Sequence, residues 1–175
     1  MTLRIEHLHS SRLPLSSARA MVALCDAAFN EDSAAYFRDI GPGEHLLGWQ
    51  GETLVAHLMW VPRTIEIGAR ALRTAYIEQV ATAGAYTRRG YASRLLAMLP
   101  PLLTAYEIAA LSPATEGIYL RMGWQFWEGP LSHRREGRRI EDPEERVMVL
   151  QLPGTPATLD RLAPMSIEWR PGDVW

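Results

Sequence analysis

The residues with the clearest chemical meaning stand in a row: Thr87-Arg88-Arg89-Gly90-Tyr91-Ala92. Before them runs the strand-like tract Ala75-Tyr76-Ile77-Glu78-Gln79-Val80-Ala81-Thr82-Ala83. After them Leu95, Leu96, Met98 and Leu99 recur at helical spacing. A strand that ends in a short basic, glycine-bearing turn and then opens a helix gathers several backbone N–H groups and the positive end of a helix dipole at one point. That arrangement suits a pyrophosphate. Gly90 lets the backbone approach the phosphates, and Arg88 and Arg89 add charge. A polar turn ahead of any surface helix has the same composition, so the turn alone leaves both readings open.

Other reactive side chains carry less. The five histidines (His7, His9, His45, His57, His133) show no metal-ligand spacing, and no metal is expected. His57 alternates within a strand and reads as a satisfied core or pocket residue. The one cysteine, Cys25, rules out an intrachain disulfide. It lies on the apolar face of a helix with Ala18, Met21, Val22, Ala28 and Phe29 and no base motif accompanies it, so it reads as core rather than nucleophile. All 18 cations are arginine, which excludes lysine Schiff-base chemistry and a P-loop lysine.

The elements that must position these groups follow from periodicity and punctuation. Leu3 to His9 predicts a strand, and Pro14 and Ser16 open a helix. Asn30 to Gly43 is a loop or short helix closed by a Gly41-Pro42-Gly43 turn. His45 to Gln50 and Thr53 to Val61 flank Gly51-Glu52 as a hairpin, and Arg63 to Ile67 and Arg70 to Ala83 continue the meander around Gly68-Ala69. Pro100-Pro101 must kink or split the helix that starts at Tyr91. Glu107 to Leu111 then reads as a strand, Pro113 to Met122 as a short helix, and Trp124 to Glu128 and Arg146 to Leu152 as strands around a charged loop. Pro156 to Ala163 reads as a small helix and Met165 to Trp169 as a last strand. Trp49, Trp60, Trp124 and Trp127 are expected in the core. Strands that first meander and then alternate with helices predict an α/β fold with a mixed sheet covered on both faces.

The chain has 175 residues, 47% of them hydrophobic and 22% charged, which fits one globular domain over 1–175. A formal net charge of -2 argues against a protein that coats nucleic acid or an anionic membrane. With no apolar run near the ~20 residues of a membrane helix and no apolar leader, the expected location is the cytoplasm.

Two segments carry a family resemblance. The turn Thr87-Arg88-Arg89-Gly90-Tyr91-Ala92 resembles the acyl-CoA pyrophosphate loop of the GNAT superfamily of N-acetyltransferases, Gln/Arg-x-x-Gly-x-Gly/Ala. Gly90 and Ala92 match it, and Thr87 departs from its first position. The stretch Ala114-Thr115-Glu116-Gly117-Ile118-Tyr119-Leu120-Arg121-Met122-Gly123-Trp124 resembles the superfamily's second motif, with Tyr119 four residues before a glycine. More narrowly, Tyr76-Ile77-Glu78-Gln79-Val80, the tract Gly123 to Pro130 and the ending Trp169-Arg170-Pro171-Gly172-Asp173-Val174-Trp175 are similar to the aminoglycoside 2'-N-acetyltransferase family.

The resemblance implies a GNAT fold, acetyl-CoA as cosubstrate, a homodimer and direct transfer of acetyl to an amine. It implies that Glu78 takes the amine's proton through water, that the Val80 N–H polarises the thioester carbonyl, and that Tyr119 protonates the leaving thiolate. Val80, Ala81 and Thr82 would bind the pantetheine arm as an added strand, and Thr87, Arg88, Arg89, Gly90, Tyr91 and Ala92 the pyrophosphate. Ser112, before Pro113, can cap the following helix or hydrogen-bond the pantetheine, capping being the favoured single role. Substrate contacts are implied for Asp32, Glu78, Gln79, Asp173 and the α-carboxylate of Trp175. The acid-rich loop of the family is replaced by Glu141, Asp142, Glu144 and Glu145 beside Arg134, Arg135, Arg138 and Arg139, a run read first as a solvated loop, with binding of the CoA 3'-phosphate as the secondary reading. A less acidic pocket favours a small aminoglycoside, kasugamycin before others, with resistance as the outcome. The alternatives are acetylation of another small amine or peptide N-terminus, and a non-catalytic acyl-CoA-binding protein.

Overall fold

A computed structural model describes residues 2–175. Its strands are β1 (Arg4–His9), β2 (Glu44–Gln50), β3 (Thr53–Ile67), β4 (Arg70–Thr82), β5 (Ile108–Leu111), β6 (Gln125–Phe126), β7 (Leu131–Arg135), β8 (Arg138–Glu141), β9 (Met148–Gln151) and β10 (Met165–Glu168). The helices are α1 (Leu15–Phe29), α2 (Ser33–Ile40), α3 (Tyr91–Ala97), α4 (Leu99–Leu102) and α5 (Gly117–Arg121). The chain forms two compact units, one of residues up to Val61 with Ile77–Leu99, the other of Pro62–Tyr76 with Pro100–Trp175.

In the first unit β1, β2 and the first half of β3 form an antiparallel meander, with His45 opposite Met59 and Leu47 opposite His57. The second half of β4 joins it, the Ala83 N–H donating to the Val55 carbonyl at 2.9 Å. β2 and the start of β3 are buried on both faces, which is why they read as continuous apolar runs. Helix α1 lays Met21, Leu24 and Cys25 against Leu47, Trp49, Leu54 and Ala81, so Cys25 is core as expected. Asn30 ends α1 in the left-handed region at φ 56°, and Asp32 opens α2 by accepting from the Ala35 N–H at 2.9 Å. Gly43 enters β2 where a Cβ would lie 2.3 Å from the Trp60 carbonyl oxygen, so only glycine fits.

The second unit is a mixed sheet in the order β6-β9-β5-β4-β3-β10-β7-β8. β4 runs parallel to β5 and β10 parallel to β7, while β9 pairs antiparallel with β5 and β6. Trp124 and Trp127 are buried here, as Trp49 and Trp60 are in the first unit.

Four expectations need correction. β3 runs unbroken through Pro62, because an extended strand already supplies proline's φ and one missing donor is tolerated at an exposed position. The helix after β5 begins only at Gly117, with Glu116 at its N-cap and no side-chain cap bond. The stretch 156–163 holds isolated turns rather than a helix, since its carbonyls serve neighbours: Arg161 O accepts from the Glu128 and Gly129 N–H groups and Ala163 O from the Trp127 indole. The basic run is not a loop. It is the β7–β8 hairpin, turned by Glu136 and Gly137 at φ 53° and 74°. No helix among the described residues is long and apolar enough to cross a membrane.

The core of the first unit holds two imidazoles whose titration has a consequence for stability. Burial, with the neighbouring His9 as a second cause, lowers His45 from 6.5 to about 4. Burial, with His45 next, lowers His57 from 6.5 to about 3. Unfolding frees both to bind protons below pH 6.5, so their contribution is intact above that value. It is lost as pH falls toward 4 and 3, by up to roughly 1.4 kcal/mol per pH unit for each imidazole. Urea unfolding at pH 7.5 and 5.0 should show this loss, reduced in His57→Asn; equal losses in both proteins would mean His57 is not held neutral.

Candidate functional site

The site residues of the first unit lie along β4 and the turn that follows it. Ile77 and Glu78 are buried, Glu78 at 7% exposure, and its carboxylate accepts from the Tyr36 hydroxyl of α2 at 2.8 Å. A carboxylate this deep requires donors, and α2 supplies one. The next residue, Gln79, has φ 51°. A left-handed residue inside a strand interrupts the pleat and re-aims its neighbours. Burial changes accordingly: Gln79, Val80 and Thr82 are half-buried while Ala81 is buried. The Gln79 Oε1 is enclosed without a hydrogen-bond partner among the described residues, and its main-chain carbonyl accepts from the His57 ring at 3.1 Å.

After β4 comes a 3₁₀ turn over Gly84–Tyr86, on which the Thr87 hydroxyl closes by donating to Gly84 O at 3.0 Å. Arg88 and Gly90 are both left-handed, at φ 59° and 76°, with Thr87, Arg88, Arg89 and Gly90 exposed. Gly90 is the N-cap of α3, and no side chain caps that helix. A Cβ on Gly90 would meet no neighbour, yet its backbone conformation disfavours any other residue. Tyr91 is buried and accepts from the Gln50 amide at 2.7 Å, pinning the helix start to β2. Arg89 lies over the Tyr86 ring at 5.0 Å. Of the expected phosphate turn, Thr87 to Gly90 are thus exposed, whereas Tyr91 is buried and Ala92 half-buried. Asp32 is exposed, and one of its oxygens is committed to capping α2.

In the second unit Ser112 does not cap a helix, contrary to the favoured expectation. Its hydroxyl lies 3.4 Å from that of Tyr76, and the helix starts five residues on. Tyr119 on α5 is buried against the edge of Trp124, and burial pushes its hydroxyl up to about 12, so it holds its proton. Asp173 is exposed and Trp175 buried. Sequence reasoning did not find what fixes them. The Trp175 indole donates to Asp142 at 2.7 Å, and both Asp142 oxygens lie 2.9 Å from His133 Nδ1. The guanidinium of Arg63 donates to Val174 O at 2.7 Å, and that of Arg170 to Asp173 O at 2.7 Å. Arg63 and Val174 are 111 positions apart, so no local pattern could announce the pair. Burial raises Glu145, with Asp142 and then Asp173 adding to it. A cavity of about 330 Å³ is lined by Trp127, Glu128, Leu131, Glu141, Asp142 and Glu145.

A model of the acetyltransferase (GNAT) domain matches residues 11–127, two-thirds of the chain. The chain belongs to the GNAT acetyltransferases. It is 31% identical to an aminoglycoside 2'-N-acetyltransferase of Mycolicibacterium fortuitum, over 96% of this chain and 90% of that protein, which bears out the narrower resemblance. The fold matches the GNAT family N-acetyltransferase YhbS of Escherichia coli, solved with CoA, at TM-score 0.63 and 16% identity over 95% of this chain and 91% of that one. It also matches a GCN5-related N-acetyltransferase of Kribbella flavida at TM-score 0.57 and 22% identity, over 74% of this chain and 34% of that one. This acetyltransferase therefore spans about a third of the length of that larger relative.

The Tyr36–Glu78 bond has a measurable weight. Tyr36→Phe removes a donor to a buried carboxylate and should lower stability at pH 7.5 by about 1.5–3 kcal/mol in urea unfolding. An unchanged midpoint and slope would mean that the carboxylate does not depend on the hydroxyl.

Proposed function

We propose that this acetyltransferase uses acetyl-CoA to acetylate the 2'-amine of an aminoglycoside, with kasugamycin favoured, and so confers resistance. The observation that carries the reading is the 31% identity to the M. fortuitum enzyme over 96% of the chain. The acidic surroundings of Asp142, Glu145 and Asp173 support a polycationic substrate. The YhbS complex with CoA and the uncapped start of α3 at Gly90 support a CoA thioester as the donor.

The residues fit the parts such a reaction needs. Bound acetyl-CoA supplies the acetyl group as an activated thioester. Glu78 accepts the proton that the attacking amine must lose, through water. The Val80 N–H donates to the thioester carbonyl oxygen as negative charge grows on it. Tyr119, which holds its proton at neutral pH, delivers it to the departing CoA sulfur. Val80, Ala81 and Thr82 run beside the pantetheine arm, with the Ser112 hydroxyl as a further donor. Thr87, Arg88, Arg89, Gly90, Tyr91 and Ala92 hold the pyrophosphate. Gln79 offers its unpartnered Oε1 to an ammonium or hydroxyl of the sugar, and Asp32, Asp173 and Trp175 add substrate contacts. The whole chain works as one acetyltransferase domain, as a homodimer in the cytoplasm. The amide product cannot be protonated, so the antibiotic loses a cation that pairs with RNA phosphate.

The test is thiol release from acetyl-CoA with aminoglycosides that have or lack a 2'-amine, kasugamycin among them, and with spermidine and a short peptide. Release confined to 2'-amino compounds, and a fall in kcat of about 10²–10⁴-fold in Glu78→Gln, is the expected result. Release with spermidine or peptide alone would overturn the aminoglycoside assignment. Binding of acetyl-CoA without turnover of any amine would identify a non-catalytic acyl-CoA-binding protein. Equal turnover of gentamicin, tobramycin and kasugamycin would remove the preference for kasugamycin.

A further inference from the structure

Two buried imidazoles of the first unit take no part in the chemistry above, yet they end on it. His45 on β2 and His57 on β3 are 2% and 0% exposed. They sit on one face of the β2–β3 hairpin, where His45 pairs with Met59 and Leu47 with His57. Their contacts form a single line. His57 Nδ1 lies 3.1 Å from the Gln79 carbonyl oxygen, and His57 Nε2 lies 3.1 Å from His45 Nδ1. His45 Nε2 lies 2.8 Å from the Ser10 hydroxyl, which accepts from the Gly43 N–H at 2.9 Å.

The direction of the line follows from what each end can do. A carbonyl oxygen only accepts, so the Gln79 end requires the hydrogen of His57 on Nδ1. A neutral His57 then presents a bare Nε2, which accepts from Nδ1–H of His45. His45 in turn presents a bare Nε2, which accepts from Ser10, while the amide of Gly43 donates to Ser10. Each hydrogen has one acceptor. The Gly43 carbonyl, 3.0 Å from the Ser10 hydroxyl, and the Cys25 sulfur, 3.6 Å from His57 Nδ1, are secondary partners. Phe37 seals the pair by presenting its ring to both imidazoles, at 6.3 and 5.9 Å between centroids.

The residue at the end of the line is the one that most needs holding. A non-glycine residue in the left-handed region is strained and persists only where its surroundings over-determine it. Gln79 is that residue, and it stands between Glu78 and Val80. We propose that the line Ser10–His45–His57 is a strut that grips the Gln79 carbonyl, maintains the left-handed turn of β4, and thereby aims the Glu78 carboxylate and the Val80 N–H. His57 is a positioning residue in this scheme, and its effect on rate rests on the roles of Glu78 and Val80 given above.

Kinetics and imidazole NMR together test the strut. In His57→Asn the side-chain amide can stand where Nδ1 stands and donate to Gln79, whereas His57→Leu cannot donate. The Leu variant should lose roughly 10–100-fold in kcat with KM for the amine changed by less than about threefold, and the Asn variant should recover most of kcat. Long-range ¹H–¹⁵N spectra of the wild-type protein at pH 7.5 should show both rings neutral with the hydrogen on Nδ1. The Val80 amide resonance should move in the Leu variant and return in the Asn variant. A folded Leu variant with wild-type kcat and an unmoved Val80 amide overturns the proposal. So does a wild-type His57 with its hydrogen on Nε2, a result that needs no variant to fold. If Glu78→Gln keeps full activity, the base assignment fails on its own, and the ring tautomers and the Val80 amide still decide the strut.

Discussion

A carboxylate placed in the interior of a sheet must be met by donors, and a left-handed residue beside it must be held by its surroundings. Both requirements fall on consecutive residues of β4. Glu78 is met by Tyr36, and Gln79 departs from the pleat with φ 51°. Much of the first unit serves these two facts. Helix α2 is short and capped by Asp32, which fixes where Tyr36 leaves it. The Ser33 N–H donates to the Asp26 side chain at 2.9 Å, so α2 is also tied to the end of α1. The β2–β3 hairpin brings the two histidines to the carbonyl of Gln79.

The second unit solves a different problem, that of holding a segment with almost no regular structure. Residues 169–175 form no strand or helix, so their backbone carbonyls need partners from elsewhere. Arg63 provides one from outside by reaching the Val174 carbonyl, and Arg170 provides one from within the segment by reaching that of Asp173. Trp175 is then buried with its indole N–H paired to Asp142, itself held by His133. A tryptophan indole buried without an acceptor would be costly, and Asp142 removes that cost while adding negative charge beside Glu145.

What was legible in the sequence depends on the range of the interaction that decides it. Turns at Gly51 and Gly68 and the split helix at Pro100-Pro101 are local and came out as expected, although the strand between the two glycine turns runs on through Pro62. The left-handed Gly90 and the start of α3 were legible for the same reason, because they lie within a few residues of one another. The β7–β8 hairpin was hidden because arginines occupy positions that usually advertise a strand with apolar side chains. Arg134 instead reaches the carboxylates of Glu66 and Glu168 and the Ser166 hydroxyl. The supposed helix over 156–163 had suitable spacing but lost its carbonyls to Trp127, Glu128 and Gly129, a tertiary override that no local propensity encodes. Glu78 was found through its family motif, whereas Tyr36, 42 positions away, and the strut behind Gln79 depend on pairing between distant strands.

The absence of lysine takes on structural meaning in this light. A guanidinium can lie flat on an aromatic ring and still donate in its own plane, whereas an ammonium is a compact point charge. Arg63 and Arg170 each lie over the Tyr76 ring, at 5.7 and 5.6 Å, while donating to main-chain carbonyls. Arg135 covers Trp169 at 4.2 Å and Arg146 covers Phe126 at 4.1 Å. Cations held on rings and carbonyls stabilise the irregular segment without setting a salt bridge on each nearby acid. The carboxylates of Glu141, Asp142 and Glu145 can then line one cavity in a unit rich in arginine.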